Sequence, residues 1–215
     1  MIPLDARLPD LLANRLCGTL PGRLAQSRLE PPATGGRHFI IPEDARAAAV
    51  MVLLYRDDDG QWRLPLTLRP TTLPDHAGQI SLPGGLIESG ESPYEAALRE
   101  LEEELGVGAA GITPLGQLSP LYVAVSNFAV VPWVATIAVP PALTPNPAEV
   151  AEVLEPRLAH LLDPANVAAG QFESHGFTVE APCFMWQGHR IWGATSMILA
   201  ELVDVVVEAA DQHGD

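Results

Sequence analysis

Residues 92–107 form one segment whose ends, core face and charged face are all set by residue type. Ser92 stands before Pro93, with Glu95 three residues on. That is an N-cap, a proline at the first helical position and a capping box. Gly106 follows Leu105 and supplies the stop. The predicted helix spans about Pro93 to Leu105. Leu98, Leu101 and Leu105 recur at helical spacing and make a stripe for a core. Glu100, Glu103 and Glu104 stand at i, i+3 and i+4, so they share another face within a turn of each other. Any fold for this chain must cover the leucines and accommodate the acids.

The acidic face is costly by itself. From Gly85 to Val107 there are seven glutamates (88, 91, 95, 100, 102, 103 and 104) against one arginine, Arg99. Like charges four apart weaken an isolated helix by roughly a few tenths of a kcal/mol, and a sequence tuned only for stability would interleave lysines. A solvated acidic face is the plain reading of such a charge run. A hard cation such as Mg²⁺ or Mn²⁺ prefers oxygen ligands, and clustered carboxylates provide them. The Gly84-Gly85 turn just upstream lets a backbone carbonyl approach the same ion.

The rest of the chain is consistent with one globular domain carrying terminal additions. The chain has 215 residues, of which 47% are hydrophobic and 18% charged. Its formal net charge of −15 repels phosphate backbones, so no nucleic-acid partner is expected. An anionic substrate would therefore need cations at the site. Cys17 and Cys183 are far apart and in no ligand spacing, which predicts two reduced thiols in a cytoplasmic protein. No signal peptide and no membrane span are expected: the apolar run from Val203 to Val207 is broken by Asp204.

Along the chain, Leu8 to Leu20 predicts a short amphipathic helix, and residues 21–42 an irregular connection. Ala47 to Tyr55 reads as a buried strand. The turn Asp57–Gly60 and an alternating strand from Trp62 to Arg69 complete a hairpin. Further strands are expected at Ile80–Pro83, Gly116–Leu118 and Phe128–Val139. After a proline-rich turn, Glu149 to Leu162 is a strand or short helix. Phe177–Trp186 and His189–Trp192 predict a hairpin around Gln187-Gly188, and Ala194 to Ala210 a closing helix. The class is α+β, a mixed sheet with helices on its faces. The expected division is an N-terminal helix and connection over 1–45, the main domain over 46–205 and a tail over 206–215.

Spacing decides between the two readings of the acidic face. Gly85, five residues, Glu91, seven residues, then Arg99-Glu100-Leu101-x-Glu103-Glu104-x-Gly106-Val107 agrees with the Nudix box at every defined position. A chance match at average composition is on the order of 10⁻⁹ per window. From about Arg46 to Leu162, and more weakly to Leu202, the chain resembles Nudix hydrolases. The resemblance implies an α/β/α sandwich around a mixed β-sheet and hydrolysis of a nucleoside diphosphate linked to another group. It also implies Mg²⁺ or Mn²⁺ on Glu100, Glu103, Glu104 and the Gly85 carbonyl, and Arg99 paired with Glu91 to orient the helix. It leaves a homodimer open. Glu100 or a loop glutamate, Glu149 or Glu152, would be the general base.

Leu66 to Gly85 (LTLRPTTLPDHAGQISLPGG) is further similar to the coenzyme A pyrophosphatase motif LLTxRSxxLRxHxGxVxFPGG. The late Trp192-Gly193-Ala194-Thr195 stretch is similar to that subfamily too. Pro70, Pro74, Ile80 and Leu82 depart from the motif, and proline at 74 removes a cation. The similarity implies that Arg69, His76, Gly84 and Gly85 contact substrate, coenzyme A, which would yield 3',5'-ADP and 4'-phosphopantetheine. Arg69 can grip a phosphate by two hydrogen bonds. ADP-ribose or a related compound is the alternative substrate, and a silent nucleotide-binding module the alternative class. Tyr122, Phe128 and Trp133 are expected in the core, and Ser126 and Asn127 in a turn.

Overall fold

The computed structural model describes residues 4–32, 40–72, 77–174 and 177–211. The chain opens with α1 (Leu8–Leu16) and the single turn α2 (Arg23–Gln26), followed by a 3₁₀ turn, Ser27–Leu29. Four strands come next: β1 (Arg46–Arg56), β2 (Trp62–Arg63), β3 (Leu66–Leu68) and β4 (Ile80–Ser81). Then follow β5 (Gly84–Leu86), α3 (Pro93–Leu105), β6 (Ile112–Gln117), β7 (Leu121–Val123), β8 (Phe128–Ile137), β9 (Glu152–Leu154) and α4 (Leu158–Leu161). β10 (Val167–Ser174), β11 (Phe177–Trp186), β12 (His189–Ile191) and α5 (Gly193–Asp211) close the fold.

The central sheet is mixed. β1 runs parallel to β8 and antiparallel to β2 and β5, while β6 and β7 pair antiparallel with β8. β1 is buried on both sides, so its two-residue period assigns the layers. Ala49, Met51 and Leu53 face α3, joining Ala96, Ala97, Leu101 and Leu105 in one core. Ala48, Val52 and Leu54 face the other way, into a larger core with α1 and α5. The result is the expected α/β/α sandwich. Leu101 and Leu105 have no exposed surface, and burying each contributes about 1.5–3 kcal/mol.

Several elements depart from the sequence reading. The run Trp62–Arg69 is not one strand. β2 pairs with β1, but β3 leaves it to pair with β4 and β9 in a separate small sheet. Pro65 lies at the break and has no N–H to continue the first ladder. Gly84-Gly85 is not a turn but strand β5, with Gly85 opposite Ala49 and Gly84 opposite Val50. β10, absent from the sequence reading, pairs along its length with β11. The expected irregular connection contains α2, held by the buried Glu201 of α5. That carboxylate accepts from Gly22 N, Gln26 Nε2 and the Ser119 N–H and hydroxyl. The closing helix expected over Ala194 to Ala210 is present as α5, and it runs through the boundary set at 205, with Val206 and Ala209 buried.

Candidate metal and active site

The helix α3 begins as its residues dictate. The Ser92 hydroxyl accepts from Glu95 N at 3.3 Å, and the Glu95 carboxylate accepts from Ser92 N at 2.8 Å. Gly106 closes the helix in the left-handed region at φ 69°. With Leu101 and Leu105 on the sheet, the three acids fan around the neighbouring surface. Glu104 is turned inward and only 3% exposed, whereas the Glu103 side chain is 52% exposed.

Arg99 is the cation of this cluster. Its Nε donates to Glu91 at 2.8 Å, its Nη1 to Glu100 at 2.9 Å and Glu103 at 3.0 Å, and its Nη2 to the Leu86 carbonyl at 2.9 Å. One guanidinium therefore ties the box loop, β5 and two helix carboxylates together. The Arg99 hydrogen bond is the main cause that holds Glu91 below the usual carboxylate range; the Glu88 N–H acts in the same direction.

Glu104 is left without such a partner. Its Oε2 is buried and makes no hydrogen bond among the described residues. Burial, and next the charge of Glu100, push its carboxyl up to about 8, while Arg69 and the Gly84 N–H pull the other way. Glu100 is likewise raised, first by burial, then by Glu103 and Glu149, against the pull of Arg99. Close packing explains both glycines. A Cβ at Gly84 would lie 2.3 Å from the Ala49 carbonyl oxygen, and one at Gly85 would lie 2.3 Å from Glu100 Oε1.

Among the described residues, no three acidic, histidine or cysteine side chains converge on one point. Arg99 occupies the position of a counter-cation for Glu100 and Glu103. The residues nevertheless fit a divalent ion. The donors are all oxygens, and a desolvated carboxylate with an unpartnered oxygen is the group a hard cation would complete.

Of the other expected site residues, Arg69 is half-buried within electrostatic reach of Glu104, and its Nε is buried without a hydrogen-bond partner among the described residues. His76 lies outside the described residues. The two loop glutamates separate. Glu149 acts on both Glu100 and Glu104, while Glu152 lies on β9 opposite Leu68 and pairs with His189 at 3.4 Å. Tyr122, Phe128 and Trp133 are half-buried rather than in the core: Tyr122 donates to Asn127, Arg46 lies over the Phe128 ring, and Trp133 packs on Tyr94. Asn127 has φ 54°, as a turn residue does.

Sequence reasoning missed the strap that carries Glu149. Thr144 N donates to Leu105 O at 2.8 Å and Asn146 N to Glu104 O at 2.9 Å, docking the proline-rich loop on the end of α3. Asn146 Nδ2 then donates to Glu149 at 3.2 Å. The one available signal was the Pro145-Asn146-Pro147 turn three residues before an acid.

Comparison with known proteins bears on the family of the chain. The NUDIX domain model matches residues 45–174. Human mitochondrial coenzyme A diphosphatase NUDT8 is 37% identical over 200 residues, covering 89% of this chain and 78% of that protein. An uncharacterized Nudix hydrolase, NudL of Photorhabdus laumondii, is 35% identical over 144 residues, covering 66% of this chain and 76% of that protein. The crystal structure of a MutT/nudix family protein from Enterococcus faecalis superposes with a TM-score of 0.51 at 22% identity. It covers 78% of this chain and 64% of that one, a likeness of fold. A family model over more than half of the chain, and relatives of this identity along most of it, place the chain in the Nudix family of hydrolases.

Proposed function

We propose that this Nudix hydrolase cleaves the phosphoanhydride bond of coenzyme A or its acyl derivatives, with Mg²⁺ or Mn²⁺ as the cofactor. The buried, unpartnered Oε2 of Glu104 beside Glu100 carries this reading, because it is the oxygen a divalent ion would complete. Glu100, Glu103, Glu104 and the Gly85 carbonyl would hold the ion. When bound, such an ion neutralises phosphate charge and lowers the pKa of a coordinated water. The chain's own residues do the remaining work. Arg99 fixes the helix against the loop through Glu91 and Leu86. Arg69 and His76 would contact a substrate phosphate. Glu149 or Glu100 would accept the proton of the attacking water. Coenzyme A is favoured by the Leu66-to-Gly85 motif and by a relative named for that activity.

The test is incubation with coenzyme A, ADP-ribose and nucleoside triphosphates, with and without Mg²⁺ or Mn²⁺, products being separated by chromatography. Metal-dependent release of 3',5'-ADP from coenzyme A is expected. Turnover of ADP-ribose alone would move the substrate, and no turnover of any would remove the catalytic reading.

A further inference from the structure

An open pocket of about 500 Å³ lies between β2, α4 and the end of β11. It is separate from the carboxylates of α3. Arg63 of its wall lies opposite Tyr55 on β1, whereas Gly84 lies opposite Val50. Five residues along a strand make roughly 17 Å.

In an acidic molecule the wall of this cavity is balanced in charge, because Asp57 pairs with Arg63 from outside the lining and Asp163 lies within it. The chain carries 27 acids and 12 basic residues. The lining holds two arginines, Arg63 and Arg157, and one carboxylate, Asp163, whose oxygen already accepts from Ala165 N at 2.9 Å. Arg63 and Arg157 are antiparallel bridge partners, so their side chains leave the same face of the ladder side by side. Like charges directly opposite destabilise a strand pair. Asp57 offsets Arg63 through Nε, and the Glu155 carbonyl accepts from Nη1 at 2.8 Å, which fixes that guanidinium in place. Arg157 is exposed, and its side chain has no hydrogen bond or ion pair among the described residues. A fixed guanidinium beside an unpartnered one is the arrangement that grips a tetrahedral oxyanion. The half-buried Trp186 adds an aromatic ring to the same wall, held edge-on to His160 at 4.7 Å.

We propose that this cavity binds a phosphate-bearing small molecule, the phosphate lying between Arg63 and Arg157 and any attached ring against Trp186. The full chain is titrated calorimetrically with AMP and, separately, with inorganic phosphate, in EDTA so that no divalent ion contributes. Saturable binding is expected, weakened about 10-fold or more in Arg157→Ala and partly kept in Arg157→Lys. Tighter binding of AMP identifies a nucleotide ligand, and equal binding identifies phosphate itself; both support the site. Coenzyme A hydrolysis by Arg157→Ala should equal that of the wild type, which separates this site from the catalytic reading. Absence of binding up to about 10 mM of either ligand, or an Arg157→Ala variant that binds as well as wild type, overturns the proposal.

Discussion

Arg99 meets Glu91 at two points: Nε lies 2.8 Å from Oε1 and Nη2 lies 3.2 Å from Oε2. The fork spans from α3 to the loop before it, while Nη1 of the same group reaches Glu100 and Glu103. Lysine keeps the charge but cannot make a planar two-point contact. Arg99→Lys should therefore leave the far-ultraviolet circular dichroism unchanged and lower kcat/KM about 10- to 100-fold, through misplaced carboxylates. Wild-type kinetics in that variant would show that the fork positions nothing.

The two glycines before the box should respond differently. At Gly84 a methyl group meets backbone on β1, which cannot yield. Gly84→Ala should cost about 1–3 kcal/mol in denaturant unfolding. At Gly85 the methyl group meets the end of the Glu100 side chain, which can swing away. Gly85→Ala should keep its melting temperature within a few degrees of wild type and lose activity. Equal stability losses in both variants would contradict the geometry.

Glu104 supplies a pH dependence with a definite sign. Its carboxyl is raised to about 8 in the folded chain, against 4.5 for an unhindered glutamate. In metal-free protein its neutral form is favoured by the fold, so the contribution is whole below about 4.5 and is lost as pH rises through about 8. Glu104→Gln removes the charge that burial opposes. Metal-free Glu104→Gln should then be more stable than wild type at pH 9, by on the order of a few kcal/mol, with little difference at pH 4. Melting curves at the two pH values decide it, and a variant less stable at pH 9 would refute the account of Glu104.

Glu91 and Glu95 behave oppositely. Hydrogen bonds from Arg99 and Ser92 hold them below the usual carboxylate range. Their contribution is present above the ordinary glutamate pKa and fades as pH falls through the lowered values. Carboxyl chemical shifts followed by NMR should show both glutamates titrating below the ordinary glutamate value. Titration at or above the ordinary value would disprove the Arg99 fork and the capping box.

The helix was legible because every signal for it is local. Ser92, Pro93, Glu95 and Gly106 set its ends without reference to the rest of the chain. The long strand β1 was legible for the same reason, as an unbroken apolar run. What the sequence concealed is non-local. Gly84-Gly85 looks like a turn, and only the neighbouring β1 makes it a strand. β10 contains Gly170, packed beneath Phe172 and Cys183, and shows no clean alternation until β11 is beside it. Within the site, helical spacing put the three acids on one side of α3 but could not say that Arg99 would claim two of them. Nor could it separate Glu149 from Glu152, because the strap that brings Glu149 to α3 depends on backbone contacts from Thr144 and Asn146.

On the proposed reading, α3 gathers oxygens for a divalent ion. The direct measurement is a Mn²⁺ titration followed by electron paramagnetic resonance, on wild type and on the Glu103→Gln and Glu104→Gln variants. Saturable binding by the wild type is expected, weakened about 10- to 100-fold in each variant while the circular dichroism is retained. Variants that bind Mn²⁺ as tightly as wild type would contradict it.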